Sequence, residues 1–414
     1  MTARDDLDAA VITGVGAVTP HGVGAAALWD GVLTARPVAR VDDPTDPTGV
    51  VTAVDGLSVT HHLPRKLVAQ TDRSVQLALI AANEALGDAG AIDGDGALTA
   101  GAAARAGVVL ATGVGPVTSI IDEHERAAGG SRRVRPYLAV TVPVNMAAGR
   151  IAQRHGLHGP AVVVASACAA GTDAVGMAAD MIRAGRADLV VAGGTEAPIA
   201  ALTVAAFRAA GALSTRTDAP GSASRPFDRD RDGFVLGEGA GVLVLESARS
   251  ARRREAAVHG VVLGYAASND AHHPTQPAPD GGGAIAAVRA ALSDAGVAPD
   301  EVGHVNAHAT STPRNDEVEA LVLRTVFDAA PVTATKSTIG HLFGAAGAVE
   351  AIVALRSAAE GVVPPIANLD HVDPRCADLD LVSGTPREIS NRIVVSTSFG
   401  FGGHNAALVL RATP

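Results

Sequence analysis

The chain of 414 residues has two cysteines, Cys168 and Cys376, and the first stands where a nucleophile would be built. Cys168 follows an apolar β-branched run, Val162–Val164, which reads as a buried strand. It precedes an Ala-rich stretch from Gly171 to Arg183, which reads as a helix. A thiol on a strand-to-helix turn faces the free N–H groups of the first helical turn, and their partial positive charge favours the thiolate. Most free cysteines are simply small buried hydrophobes, so the rest of the chain has to decide. It supplies three further stretches. Val305-Asn-Ala-His-Ala-Thr-Ser-Thr-Pro313 puts His308 just past a strand and before a run of hydroxyls. Thr335-Lys-Ser-Thr-Ile-Gly-His341 puts Lys336 and His341 in a glycine-flanked loop that opens onto a helix. Ser396-Thr-Ser-Phe-Gly-Phe-Gly-Gly-His-Asn405 is a glycine-dense turn whose backbone N–H groups could line a cavity. Cys376 lies in a polar segment, residues 373–380, that reads as a loop.

A thiol, two histidines and a lysine at strand ends suit carbon–carbon bond formation on thioesters. The thiolate takes an acyl group, and the histidines polarise a second thioester's carbonyl so that loss of CO2 leaves an enolate. Two backbone N–H groups then hold the oxyanion of the condensation, each donor being worth on the order of 10²–10³ in rate. Other chemistries fare worse. His61, His62, His272 and His273 lack the spaced partners of a zinc site. Gly14-x-Gly16 lacks the third glycine and the acidic partner of a dinucleotide fingerprint.

The elements that must hold these groups alternate between strand and helix. Residues 9–18 and 107–111 read as strands, with a helix over 74–89 between them, and a further strand covers 189–196. The phrase Ala85-Leu-Gly-Asp-Ala-Gly90 recurs as Ala291-Leu-Ser-Asp-Ala-Gly296, each copy closing a helix that leads on to a strand. We therefore expect an α/β architecture of two related halves, residues 1–255 and 256–414, the first bearing Cys168 and the second both histidines. The charged stretch from Arg225 to Asp232 reads as a bracing loop. Aromatic residues make up only 2% of the chain, so the core must be built from Ala, Val, Leu and Gly at close approach. A net charge of −10 argues against a nucleic-acid partner. Two cysteines make no disulfide framework, and no apolar run reaches about 18 residues, which points to the cytoplasm and to no membrane insertion.

In combination, Ser166-Ala-Cys168, Asn306-Ala-His308, Lys336-Ser-Thr-Ile-Gly-His341 and Phe399-Gly-Phe-Gly-Gly403 resemble the β-ketoacyl-acyl-carrier-protein synthases, most nearly the elongating, decarboxylating ketosynthase II type. The likeness runs from Val11 to Leu410. It implies a thiolase-like fold of five αβαβα layers, and a homodimer or a heterodimer with a related subunit. It also implies substrates carried on the phosphopantetheine of an acyl carrier protein, with no further cofactor and no metal. Carried over by position, Cys168 is acylated, and His308 and His341 bind the malonyl carbonyl. Lys336 acts electrostatically with Glu350. The N–H groups of Cys168 and Phe401 form the oxyanion hole, and Phe401 gates it. Thr310, Thr312 and Thr275 contact the pantetheine arm, Val114 floors the acyl pocket, and Arg65, Lys66 and Arg208 dock the carrier. The chain departs from the family's usual residues at Ala309, where Gly is common, at His404, where Thr is frequent, and at Arg314-Asn315-Asp316. A thiolase would need a second catalytic cysteine, and a priming or chalcone-synthase-like enzyme an Asn in place of His341. A non-catalytic chain-length factor would have lost Cys168. An active ketosynthase working beside such a factor is the alternative to one acting alone.

Overall fold

The computed structural model describes residues 7–413 except 44, 46–48, 100–104 and 132. Ten strands carry the fold. β1 (Ala10–Thr19), β2 (Ala106–Ala111), β3 (Ala161–Val164), β4 (Leu189–Glu196) and β5 (Gly239–Ser247) belong to the first half of the chain. β6 (Gly260–Asn269), β7 (His304–Asn306), β8 (Val332–Thr333), β9 (Ile393–Gly400) and β10 (His404–Ala412) belong to the second. They lie in the order β8-β7-β9-β10-β6-β1-β5-β4-β2-β3. The two halves of that path meet at β1 and β6 through only two residue pairs, Val11–Val261 and Ile12–Gly260. Each half repeats the other. β1–β5 and β5–β4 are antiparallel while β4–β2 and β2–β3 are parallel, and β6–β10, β10–β9, β9–β7 and β7–β8 follow the same sequence of directions.

The recurrent phrase has a physical reason. Helix α1 (Arg73–Asp88) packs on β1 and helix α4 (Gly282–Ala295) on β6. The approach is so close that a Cβ on Gly14 would lie 2.1 Å from the Ala85 carbonyl oxygen, and one on Gly264 would lie 2.3 Å from that of Ala291. Asp88 accepts a hydrogen bond from the Val15 N–H (2.9 Å) and Asp294 one from the Tyr265 N–H (3.0 Å). Both strands slip register at that point, between Ile12 and Gly14 and between Val262 and Gly264. Gly14 therefore serves helix packing, not nucleotide binding.

Alternating side chains sort into three apolar layers, as the two-residue period of a strand requires. Val190, Ala192, Leu243 and Leu245 face a central layer shared with Val394, Leu408 and Leu410 of the other half, while Val191, Val242 and Val244 face the layer of α1 and α2 (Met146–His155). Val395, Ala407 and Val409 face α4 and α5 (Pro313–Val326) on the far side. The central layer holds two nearly all-buried helices, α3 (Ala170–Arg183) and α6 (Ala346–Glu360). They cross at glycines: a Cβ on Gly171 would stand 2.8 Å from the Ala348 nitrogen, and one on Gly347 2.5 Å from that of Thr172. The result is the expected stack of helix, sheet, helix, sheet and helix.

Four expectations need correction. The Val162 run is not buried: β3 is the outermost strand, and Val162 is 41% exposed. An apolar run signals burial without saying whether this chain supplies the cover. Much of the glycine-dense turn is strand, β9 continuing to Gly400 and β10 starting at His404. Lys336 opens a short helix, Lys336–Ile339, where a loop was expected, whereas the Cys376 segment is the loop expected, its turn Pro374–Cys376 burying the thiol against the Asp316 carbonyl oxygen (3.7 Å). The correction to the Cys168 thiolate follows with the site. The charged loop does brace: Arg225 pairs with Asp228 and Asp370, and Arg231 with Asp373.

Candidate active site

Cys168 lies on a single turn, Ala167–Ala169, between β3 and α3. Ala167 before it is held at φ +51°, a left-handed conformation that strains a side-chain-bearing residue. Ser166 Oγ donates to Asp173 in the first turn of α3, and the Tyr265 hydroxyl donates to the same carboxylate (2.9 Å), which pins the turn. The mirrored turn before α6 has Phe343 at φ +49° and Gly344 in the place of the cysteine.

Cys168, His308 and His341 line one cavity of about 370 Å³, together with Thr310, Thr312 and Phe401. The two imidazoles come from different connections, His308 after β7 and His341 after the short helix Lys336–Ile339. Their ring centres are 5.5 Å apart and their planes nearly perpendicular. Nδ1 of His341 accepts from the Phe343 N–H (3.2 Å), and the ring stacks on the Phe343 ring at 4.8 Å. Nδ1 of His308 faces Lys336 Nζ at 3.2 Å, and a lysine offers only donors, so this nitrogen too is an acceptor. Each neutral ring therefore carries its proton on Nε2. The His341 Nε2 has no protein partner. Burial first, and then the charge of Lys336, hold both histidines well below the ordinary imidazole value, His308 being lowered further by His341. The pair consists of two neutral N–H donors fixed from behind.

Lys336 is itself buried and is bonded to Glu350, whose carboxyl burial pushes up to about 7 against the opposing pull of the lysine. Glu319 plays a similar part on the other side of His308. It accepts from the backbone N–H of His308 (2.8 Å) and of Ala309 (2.6 Å) and from Thr397 Oγ1 (2.9 Å), and burial raises it to about 7. Ala309 is held at φ +34°, where glycine rests without strain.

The expectation of a ready thiolate fails. Burial pushes the Cys168 thiol up to about 11, outweighing the Lys336 charge and the backbone N–H groups of Phe401 and of Cys168 itself, which pull it down. Those two N–H groups nonetheless converge on the sulfur. Gly400 makes the convergence possible, since a Cβ there would stand 3.1 Å from the Cys168 nitrogen and 3.0 Å from the Ser166 carbonyl oxygen. Thr172 and Ser398 join α3 to β9 through their hydroxyls (2.7 Å), holding the two donors in register.

The remaining expected residues divide. Thr310 and Thr312 share a hydrogen bond (3.0 Å) on the cavity wall, Thr312 also capping α5 through the Asn315 N–H, and Thr275 reaches the wall from the facing loop. Val114 does not line this cavity. It is 39% exposed, its N–H directed at the buried Glu196, which also gathers the N–H groups of Gly113, Gly115 and Gly344. Arg65 and Lys66 are exposed on the helix Arg65–Val68, and Arg208 lies two residues before the cavity-lining Ala210, none of the three touching the cavity. Sequence reading missed Glu319, Glu196 and Gly400. Two of these are acids that burial turns into backbone clamps: Glu196 is marked only as a carboxylate closing a mainly apolar strand, and Glu319 by nothing, its helix also carrying Arg314, Asp316, Glu317 and Arg324.

Comparison with known proteins places these features in context. The family model "Beta-ketoacyl synthase, N-terminal domain" matches residues 8–251, and "Beta-ketoacyl synthase, C-terminal domain" matches residues 259–370. The chain is 40% identical over 410 residues to a 3-oxoacyl-[acyl-carrier-protein] synthase 2 of Synechocystis, covering 97% of each chain. It is 38% identical over 409 residues to the protein of that name from Coxiella burnetii, again covering 97% of each. Among solved structures it is similar to the ishigamide ketosynthase/chain length factor (TM-score 0.89, 35% identity, 98% and 99% of the two chains). It is also similar to a beta-ketoacyl synthase from Burkholderia phymatum STM815 (TM-score 0.90, 33% identity, 98% and 100%).

Proposed function

The chain belongs to the β-ketoacyl synthase family, and we propose that Cys168, His308 and His341 carry its reaction in three separable steps. It is an acyltransferase that condenses malonyl units, with loss of CO2, onto an acyl chain. Cys168 takes the acyl group from a carrier thioester, its proton passing to the departing pantetheine thiol, so that one thioester replaces another. The malonyl thioester then enters, and its carbonyl oxygen accepts from Nε2–H of both histidines. CO2 leaves, its bonding electrons pass into the enolate, and the new carbanion attacks the acyl–cysteine carbonyl. The N–H groups of Cys168 and Phe401 hold that oxyanion until the sulfur is expelled as a thiolate, which takes a proton from water to restore the resting thiol. Phe401, 38% exposed beside the sulfur, gates the approach.

The observation that carries this reading is the contact at each Nδ1: both are occupied from behind, which assigns the proton to Nε2 and leaves two neutral donors on rings that line one cavity with the sulfur. The thiol's elevated value fits a nucleophile that rests protonated and becomes reactive as a thioester enters. Lys336 and Glu350 position and bias His308 without touching substrate.

The substrates ride on an acyl carrier protein, which the relatives' names specify for those proteins, and its phosphopantetheine arm runs along Thr310, Thr312 and Thr275. Arg208, beside the mouth, is a better carrier contact than Arg65 and Lys66. The half-chain division at 255/256 falls between β5 and β6, where the repeat of strand directions restarts. A second copy, or a related ketosynthase-like chain, covers the open edge of β3, where Ala161, Val162, Val144 and Val114 are exposed. Val114 then takes its part in the acyl pocket only in that dimer. A cytoplasmic site of action completes the proposal, and no described helix is long and apolar enough to cross a membrane.

The test is reconstitution. Purified chain, an acylated carrier and malonyl carrier are incubated, and carrier-bound products are read by mass spectrometry. The β-ketoacyl carrier is expected from wild type and not from Cys168→Ala; product from the variant would sink the assignment.

A further inference from the structure

Alternate residues of one segment climb the cavity wall from base to rim. His308 is buried at the base, Thr310 is 7% exposed, Thr312 is half-buried, and Arg314 is exposed, and all four line the cavity. Arg314 is the sole lysine or arginine among the described residues of that lining. The cavity's carboxylate, Asp270, is already engaged by Asn405 Nδ2 (2.7 Å) and the Ala278 N–H (2.9 Å). Arg314 has no carboxylate partner among the described residues. Its Nη1 instead donates to the neutral Oε1 of Gln276 (2.5 Å), on the loop forming the opposite lip, in the same wall as Thr275. A guanidinium held across a cavity mouth by a neutral amide keeps its full charge and most of its donors for a ligand.

We propose that Arg314 recognises the phosphate at the outer end of the carrier's pantetheine arm, making it a specificity-determining residue for carrier-borne substrates. The inference rests on the reading that the cavity admits a pantetheine thioester. With the thioester at the histidines and the arm beside Thr310 and Thr312, the next wall residue outward meets the arm's anionic end. Arginine suits that group because its planar fork matches phosphate oxygens through two N–H donors. Gln276 turns the fork toward the opening without neutralising it.

Malonyl decarboxylation is measured with four thioesters: those of the carrier, of phosphopantetheine, of pantetheine without phosphate, and of coenzyme A. For Arg314→Gln the expected result is a fall of about tenfold in kcat/KM, ~1.4 kcal/mol, with the carrier and phosphopantetheine thioesters. The loss should lie in KM, with the pantetheine thioester unaffected and Arg314→Lys restoring part of it. Equal loss on the phosphate-free thioester would overturn the proposal, as would loss confined to coenzyme A. A Gln276→Ala variant that loses activity equally on the phosphate-free thioester would also overturn it, since the Arg314–Gln276 bond would then merely brace the lip. Failure of wild type to turn over any of the four thioesters would instead refute the catalytic reading.

Discussion

Nζ of Lys336 stands 3.2 Å from Nδ1 of His308 and on its other side meets Glu350, all three groups being at least 98% buried. The lysine therefore sets which nitrogen of His308 carries the proton, from behind the ring and outside the cavity lining. Lys336→Ala should lower CO2 release from malonyl carrier by on the order of 10², within the range for a misplaced acid–base group, with melting temperature followed in parallel. Unchanged CO2 release in a folded variant would show that the lysine contributes nothing to the histidine.

Burial displaces the thiol upward and the two imidazoles downward, so pH separates them. With its thiol pushed up to about 11, Cys168 is mostly protonated at neutral pH, and the thiolate fraction grows about tenfold per unit below that value. Inactivation by iodoacetamide should keep climbing from about pH 6 to pH 9. Both histidines are held well below the usual value, so they stay neutral as pH falls through 6.5. Decarboxylation should show no loss there. A plateau in alkylation below about pH 8, or a loss of decarboxylation centred near 6.5, would contradict these environments.

Gly400 lets β9 approach the nucleophile turn. In Gly400→Ala the added methyl stands 3.1 Å from the Cys168 nitrogen, intruding on the oxyanion position but not on either histidine. Condensation should fall by about 10² while malonyl decarboxylation stays close to wild type. Equal loss of both reactions would mean that the glycine serves folding alone.

Sequence made much of this legible because the groups proposed for catalysis follow strands, where motif and element coincide. Cys168 and His308 fall just past the strands the motifs pointed to, Lys336 stands on a short helix where a loop was expected, and the repeated Ala-Leu-x-Asp-Ala-Gly phrase marks equivalent helix–strand contacts in the two halves. What stayed hidden depends on burial by distant segments. The helix turn near Cys168 argues for a thiolate, yet desolvation by residues hundreds of positions away decides the balance. Glu319 and Glu196 read as ordinary acids until the fold closes backbone N–H groups around them. Val162 reads as core because an apolar strand looks the same whether its own chain or another covers it.

That ambiguity is itself testable. β3 leaves a row of backbone groups open beside the exposed Val162, an edge that invites pairing with another strand. Wild type should sediment as a dimer and Val162→Lys as a monomer. A wild-type monomer, or a variant that still dimerises, would exclude β3 as the interface.

The most direct test of the account is CO2 release from malonyl carrier by Cys168→Ala, alone and combined with His308→Ala. In the proposed mechanism the two Nε2–H donors serve decarboxylation and the sulfur serves condensation. The single variant should therefore keep releasing CO2 while forming no β-ketoacyl product, and the double variant should release none above background. A single variant that no longer decarboxylates, or a double variant that still does, would contradict it.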